Sequence, residues 1–326
     1  MAKKRIVKNP AEIRQIIYES GLKYVMLNNR LFDDLLSNGN KVEYTPKYDE
    51  EDNVYYDHKG SILEGYNQED KLFTTFNDKD LIIIILLKFL EQSKFKGYTV
   101  ELANYLNMSE KRLKEHLNKL LFINVNVNST FARNERKYSD GGYNCRLISN
   151  KKVTGWEGNI KRTYLQWKMN FEHDYEPVTK DGKVNHVAKN FFRVTLYDLD
   201  LYISGLLNEK EFITYLYFIK SYNENMNIWH SVVKVAEKVN VKNPTLIQKM
   251  INRFEVLRLK NEFCDESNKD FPLIHIDKPA NYEKRLRNRE DPSCCYRPVY
   301  NLSIMARLNR ENPNIYSDEE LEELFL

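Results

Sequence analysis

The chain of 326 residues is short of the features that announce chemistry. Its four cysteines (Cys145, Cys264, Cys294, Cys295) form no C-x-x-C pair and show no Cys/His zinc spacing, and the adjacent pair Cys294–Cys295 is a poor mutual disulfide. Reduced thiols are therefore expected rather than a secreted disulfide scaffold. The six histidines (His58, His116, His173, His186, His230, His275) are scattered without i, i+4 metal spacing. His275 stands in a strand-like run, Leu273-Ile274-His275-Ile276-Asp277, but lacks the second histidine of a nicking-endonuclease metal site. No G-x-x-x-x-G-K-[ST] loop exists to cradle a nucleotide phosphate. None of the 22 tyrosines stands beside an Arg/His constellation that would mark a nucleophile. Met1-Ala2-Lys3-Lys4-Arg5 is basic without the apolar stretch of a signal peptide, and the longest apolar run, 81–87, stops at Lys88. The expectation is a cytoplasmic protein that is not an enzyme, with no cofactor, no metal and no membrane association.

What is present is ordinary globular material, 42% apolar and 30% charged, with a net charge of +3. That sum averages over unequal segments. Basic residues collect near 111–119, 133–152, 242–260 and 284–297, and acidic ones at 49–52 and 318–323. A basic face for nucleic acid is compatible with so small a net charge, because local potential decides.

The most informative stretch is 233–259. Val233, Val235, Ala236 and Val239 form a short apolar-periodic helix that gives way to Lys242-Asn243-Pro244. Asn243 suits an N-cap and Pro244 the first helical position. A second helix follows, with Leu246, Ile247, Met250, Ile251 and Phe254 on one face and Thr245, Gln248, Lys249, Asn252 and Arg253 on the other. The β-like run 256–259 comes next. This order, helix, tight turn, helix and strand, is that of a winged helix-turn-helix.

The pattern occurs twice. Residues 100–108 (V-E-L-A-N-Y-L-N-M) match 233–241 (V-K-V-A-E-K-V-N-V) in apolar character. Upstream, Asn77-Asp78-Lys79-Asp80 matches Asn208-Glu209-Lys210-Glu211. Downstream, Leu117-Asn118-Lys119-Leu120 matches Ile251-Asn252-Arg253-Phe254. The offsets differ by only a few residues, as loop insertions allow. A repeat of this span signifies duplicated domains rather than a solenoid.

The expected fold class is mainly α with small β hairpins (α+β): two tandem winged helix-turn-helix modules joined by a β-rich connector. Residues 1–70 read as an irregular N-terminal subdomain or arm, 71–152 as module 1 and 153–205 as the connector. Residues 206–277 read as module 2 and 278–326 as a C-terminal extension. In module 1, Asp78 is the expected cap of a buried helix and Ser109 that of the third helix, with Leu113, Leu117, Leu120 and Leu121 inward. The strand 122–127, a basic loop and the strand 143–148 make the first wing; 257–276 makes the second. In the connector, 163–171 and 184–196 read as strands around the turn at 180–183. Ser317 is expected to cap an acidic helix over 318–326.

Inward stripes at this spacing are core, so function is sought on the opposite faces. Amide side chains pair bidentately with adenine, which makes Gln248 and Asn252, beside Thr245 and Lys249, candidates for base reading. Lys111, Arg112, Lys114 and Lys119 suit phosphates, with Asn118 as a base reader. Arg133, Arg136 and Lys137 of the first wing would reach an adjacent minor groove or backbone, which an AT-rich site rewards; a solvated loop is the plain alternative for this wing. These expectations amount to double-stranded DNA as partner.

Two such modules, with their A-x-x-[LV]-N-[MV] turns, following helices and hairpins over roughly 72–277, resemble the initiator proteins of theta-replicating plasmids and related phages. The resemblance implies binding to origin repeats, contacts with host replication proteins and a homodimer on repeated half-sites. It carries residue roles only as the second helix of each turn, 111–119 and 245–253. A phage or plasmid transcriptional regulator with the same DNA grip is the alternative. A winged-helix protein-interaction module without DNA binding is a third reading.

Overall fold

The computed structural model describes residues 7–36, 41–127, 143–157, 160–170, 174–180, 183–222, 229–260 and 270–311. They form helices accompanied by small antiparallel sheets, and contacts divide the chain into two compact units. Unit 1 is 1–31 with 40–191; unit 2 is 32–39 with 192–326. The expected connector, 153–205, is thus shared between them.

Unit 1 opens with α1 (Pro10–Glu19), started by an Asn9–Glu12 capping box. Its apolar stripe needs a partner, and Ile13 and Ile17 are buried where α1 packs on a later helix, α3 (Thr99–Tyr105). β1 (Tyr24–Asn28) follows, and the π-helical turn at Leu31–Leu36 then passes into unit 2. β2 (Lys41–Tyr44) pairs with β5 (Leu72–Thr75), and β3 (Lys47–Asp49) with β4 (Val54–Tyr56). Most of the expected N-terminal arm is therefore integral to this unit. Tyr44 bridges Ile123, and the Lys8 amide donates to Glu101 Oε1 at 2.8 Å.

α2 (Asp78–Gln92) is the central helix, with 81–87, Phe89 and Leu90 all buried. Asn77 caps it, not Asp78: the Asn77 side chain accepts from the Asp80 amide, and Asp80 returns a bond to the Asn77 amide at 2.8 Å. α3 ends with Asn107 in the left-handed region (φ 51°), where the Met108 amide reaches Ala103 O at 3.0 Å. α4 (Glu110–Phe122) follows, then the hairpin β6 (Asn124–Val127) and β7 (Tyr143–Arg146).

Two further hairpins complete the unit: β8 (Ile148–Glu157) with β9 (Ile160–Met169), and β10 (Asp174–Lys180) with β11 (Lys183–Lys189). Strand pairing reaches Lys180 and Lys183, on either side of the expected turn, but the strands there are not 163–171 and 184–196. Residues 163–169 belong to β9 and find their partner upstream, in β8. Asn190, with φ 56°, breaks the second run, and β12 (Phe191–Thr195) begins after it.

Unit 2 takes up the chain within β12. α5 (Leu196–Ile203) is capped by Thr195. The fully buried Asp198 carboxylate accepts from the Thr195 amide (2.8 Å) and hydroxyl (2.7 Å), Asn301 Nδ2 (2.6 Å) and Tyr215 hydroxyl (2.9 Å). Burial pushes its pKa up despite these bonds. The network ties α5 to α6 (Glu209–Ser221) and to α10 (Val299–Glu311).

α6 starts on an Asn208–Glu211 capping box. β13 (Trp229–His230), α7 (Val232–Lys238) and α8 (Pro244–Val256) follow. α7 ends as α3 does: Asn240 has φ 54° and the Val241 amide reaches Ala236 O at 2.8 Å. Both ends are Schellman motifs with asparagine in the left-handed position. β14 (Arg258–Lys260) pairs with β15 (Asp270–Pro272). The second hairpin closes there, short of the expected 276. Leu273 and Ile274 dive into the core, and the Leu273 amide bonds Phe254 O at 3.1 Å. β16 (His275–Asp277) instead pairs with β17 (Cys294–Arg297), beyond α9 (Tyr282–Arg287). β13 pairs with the other edge of β17. The expected acidic helix over 318–326 lies outside the described residues.

Candidate nucleic-acid interface

The two helices singled out by the sequence are built alike. Ser109 starts α4 by accepting from the Arg112 amide at 3.3 Å; Asn243 starts α8 by accepting from the Thr245 amide at 3.0 Å, with Pro244 in the first turn. Leu113, Leu117 and Leu120 of α4 are buried, as are Ile247, Ile251 and Phe254 of α8. The spacing i, i+4, i+7 turns one stripe inward and frees the other. Leu246, expected in the inward stripe, is 46% exposed, since its position falls beyond the edge of that stripe.

On the outward face of α4, Lys111, Arg112, Lys114 and Asn118 are exposed. Lys114 is engaged by Glu110 at 2.8 Å, one turn away. On α8, Thr245, Lys249 and Asn252 are exposed and Gln248 is half-buried. Gln248 Nε2 donates to Asn252 Oδ1 at 2.8 Å, so the two amides form one surface along adjacent turns. Arg133, Arg136 and Lys137 lie outside the described residues.

Two residues expected on the outward faces have a different occupation. Lys119 Nζ lies 2.5 Å from Asp80 Oδ2, and Arg253 Nη1 pairs with Glu211 while its Nη2 donates to Leu206 O at 2.8 Å. Positions 119 and 253 border the inward stripes, one residue before Leu120 and Phe254. A long cation there reaches back over the neighbouring helix rather than outward. Asp80 is fully buried and also meets His116 Nδ1 at 2.6 Å. Lys119 and Arg253 thus tether their helices to the start of the neighbouring one.

Beside α4 opens a pocket of about 530 Å³ lined by His58, Lys59, Glu115, His116, Asn118 and Lys119. Burial lowers the pKa of His58; Asp57 opposes this, while Lys59 and Lys119 add to it. His58 and Lys59 had no signal in the sequence, because their stretch is polar and irregular and its approach to α4 depends on the β2–β5 pairing. Among the described residues no group of His, Cys, Asp and Glu could hold a metal ion. Cys145, Cys294 and Cys295 are free thiols whose pKa values burial raises. No helix among the described residues is long and apolar enough to cross a membrane.

The architecture around these faces recurs. In unit 1, α2 leads through a bridge between Gly97 and Leu165 to α3, α4 and the β6–β7 hairpin. In unit 2, α6 leads through β13 to α7, α8 and the β14–β15 hairpin. The short pairing between first and second helices carries no alternating apolar run that would mark it in the sequence. No protein-family model, no curated protein and no solved structure matches the chain.

Proposed function

We propose that the chain is a sequence-specific double-stranded DNA-binding protein built on two winged helices, with α4 and α8 as the recognition helices. One observation carries the reading: the same helix–bridge–helix–helix–hairpin order occurs in both units, and each presents a polar, cation-bearing face on its third helix. In this reading the bridge at Gly97, paired with β9, and β13, paired with β17, take the position of the short strand after the first helix, and the hairpin behind the third helix is the wing. α4 offers Lys111, Arg112 and Lys114 for phosphates and Asn118 for a base edge. α8 offers Lys249 for phosphate and the Gln248–Asn252 amide surface for adenine.

Tandem modules on one chain suit repeated sites, which favours a plasmid or phage replication initiator acting at origin repeats. The test is selection of preferred duplexes from a random pool, followed by footprinting. Enrichment of two directly repeated half-sites with adenine-bearing positions supports the reading. Enrichment of one inverted repeat points to a regulator, and recovery of no sequence overturns specific DNA binding.

A further inference from the structure

The β8–β9 ribbon of unit 1 has an outer half that adds no buried residue to the core, although its Tyr164 ring lies against Tyr98. Its ten-residue strands pair from Ile148–Met169 to Glu157–Ile160. At the base, Ile148, Trp167 and Met169 are buried. The ribbon's edge is fastened where Leu165 and Gly97 exchange backbone hydrogen bonds of 2.9 and 3.3 Å. Past that point, no residue among 153–156 and 160–164 is buried. A two-stranded ribbon gains little stability by itself, so this half calls for another use.

Its side chains suggest which. The two strands carry Lys151, Lys152, Lys161, Arg162 and Lys168 against the single acidic residue Glu157. Near the outer end Trp156 is 71% exposed, the largest exposure among the big apolar side chains described. Lys161 stands directly opposite Trp156, so cation and indole share a face. Alternation places Lys152, Thr154 and Thr163 on that face as well. The same face borders a groove of about 250 Å³, whose helix side is Thr99, Glu110 and Lys114 and whose ribbon side includes Lys152, Thr163 and Leu165. Lys114 of α4 and Lys152 of β8 thus line one groove from opposite walls.

Resting on the DNA-binding reading of α4, we propose that the β8–β9 ribbon is a second duplex-DNA contact of unit 1. Lys152 and Lys161 hold the phosphates flanking the groove that α4 enters, and Trp156 lies against the adjoining minor groove. Charge points to the occupant: Lys152 and Lys161 beside one exposed indole, with Lys114 across the groove, suit a polyanion with apolar sugar and base edges. The basic loop expected as a wing is then not the sole arm available to α4.

The test uses the full chain and the duplex recovered by selection. Lys152→Ala with Lys161→Ala should weaken binding on the order of tenfold and flatten the dependence of log affinity on log salt by about two. In a Trp229→Phe background, which removes the 43% exposed indole of unit 2, Trp156→Phe should remove most of the DNA-induced change in tryptophan emission, because Trp167 is buried. All three positions are exposed or outside the core, and far-UV circular dichroism checks that folding is kept. Ribbon variants that bind like the unmodified chain, while Lys111→Ala with Arg112→Ala weakens binding, would overturn the ribbon's role and leave α4 intact. Failure of the unmodified chain to bind any duplex would overturn both.

Discussion

Arg253 of α8 pairs with Glu211, the residue that closes the capping box of α6. Lys119 of α4 pairs in the same way with Asp80, which closes the capping box of α2. These four positions are equivalent in the repeat: Asp80 aligns with Glu211 and Lys119 with Arg253. Each repeat therefore uses one carboxylate twice, to start its first helix (α2 or α6) and to hold its third (α4 or α8). The third helix is positioned by the contact that fixes the first.

Removing the cation should expose the difference between the two copies. Asp80 is fully buried, so Lys119→Ala leaves a carboxylate with His116 as its remaining side-chain partner and should cost about 3 kcal/mol. Arg253 is 41% exposed, so Arg253→Ala should cost less, about 1–2 kcal/mol. The neighbouring Asn118→Ala should stay within about 0.5 kcal/mol. Chemical denaturation reads all three, and equal small losses for the two cations would refute the tether.

The twin helix ends make a second prediction. Asn107 and Asn240 both hold left-handed backbone, which alanine tolerates poorly. Asn107→Ala and Asn240→Ala should each destabilise by about 1 kcal/mol, and the glycine variants should match or exceed the parent protein. Thermal unfolding of the four variants decides it. Glycine variants no better than alanine would contradict the cap.

Stability should also depend on pH through His230. Its Nδ1 lies 3.2 Å from the Tyr217 hydroxyl, and burial, reinforced by Lys220, Lys234 and Lys238, lowers its pKa. A histidine whose folded pKa lies below its unfolded value of about 6.5 resists protonation in the fold. Its contribution is complete above that pH and is lost as pH falls through the folded value; His58 acts in the same direction. His230→Gln should therefore flatten the loss of stability between about pH 7 and pH 5. An unchanged profile would assign that loss elsewhere.

The recurring caps and stripes were readable because their signals are local. Ser109 and Asn243 sit where a helix must start, and the stripes of α4 and α8 follow helical spacing within one or two turns. The tethers were not readable, because a helical wheel shows only that 119 and 253 flank the stripe. Their partners lie on another helix, about forty residues upstream. The β8–β9 ribbon was missed for a related reason. Its first strand, I-S-N-K-K-V-T-G-W-E, is polar and carries a glycine, so neither burial nor alternation marks it. Only pairing with β9 makes it a strand. Gly155 has a reason of its own: a Cβ there would come within 2.9 Å of the Tyr164 ring.

The most direct measurement of the DNA reading is fluorescence anisotropy of a labelled AT-rich duplex across a salt series. It compares the unmodified chain with Lys111→Ala/Arg112→Ala and with Lys249→Ala. The account predicts a steep loss of affinity with salt, made shallower by about two in the first variant and about one in the second. Absence of binding at low salt, or slopes untouched by either variant, would contradict it.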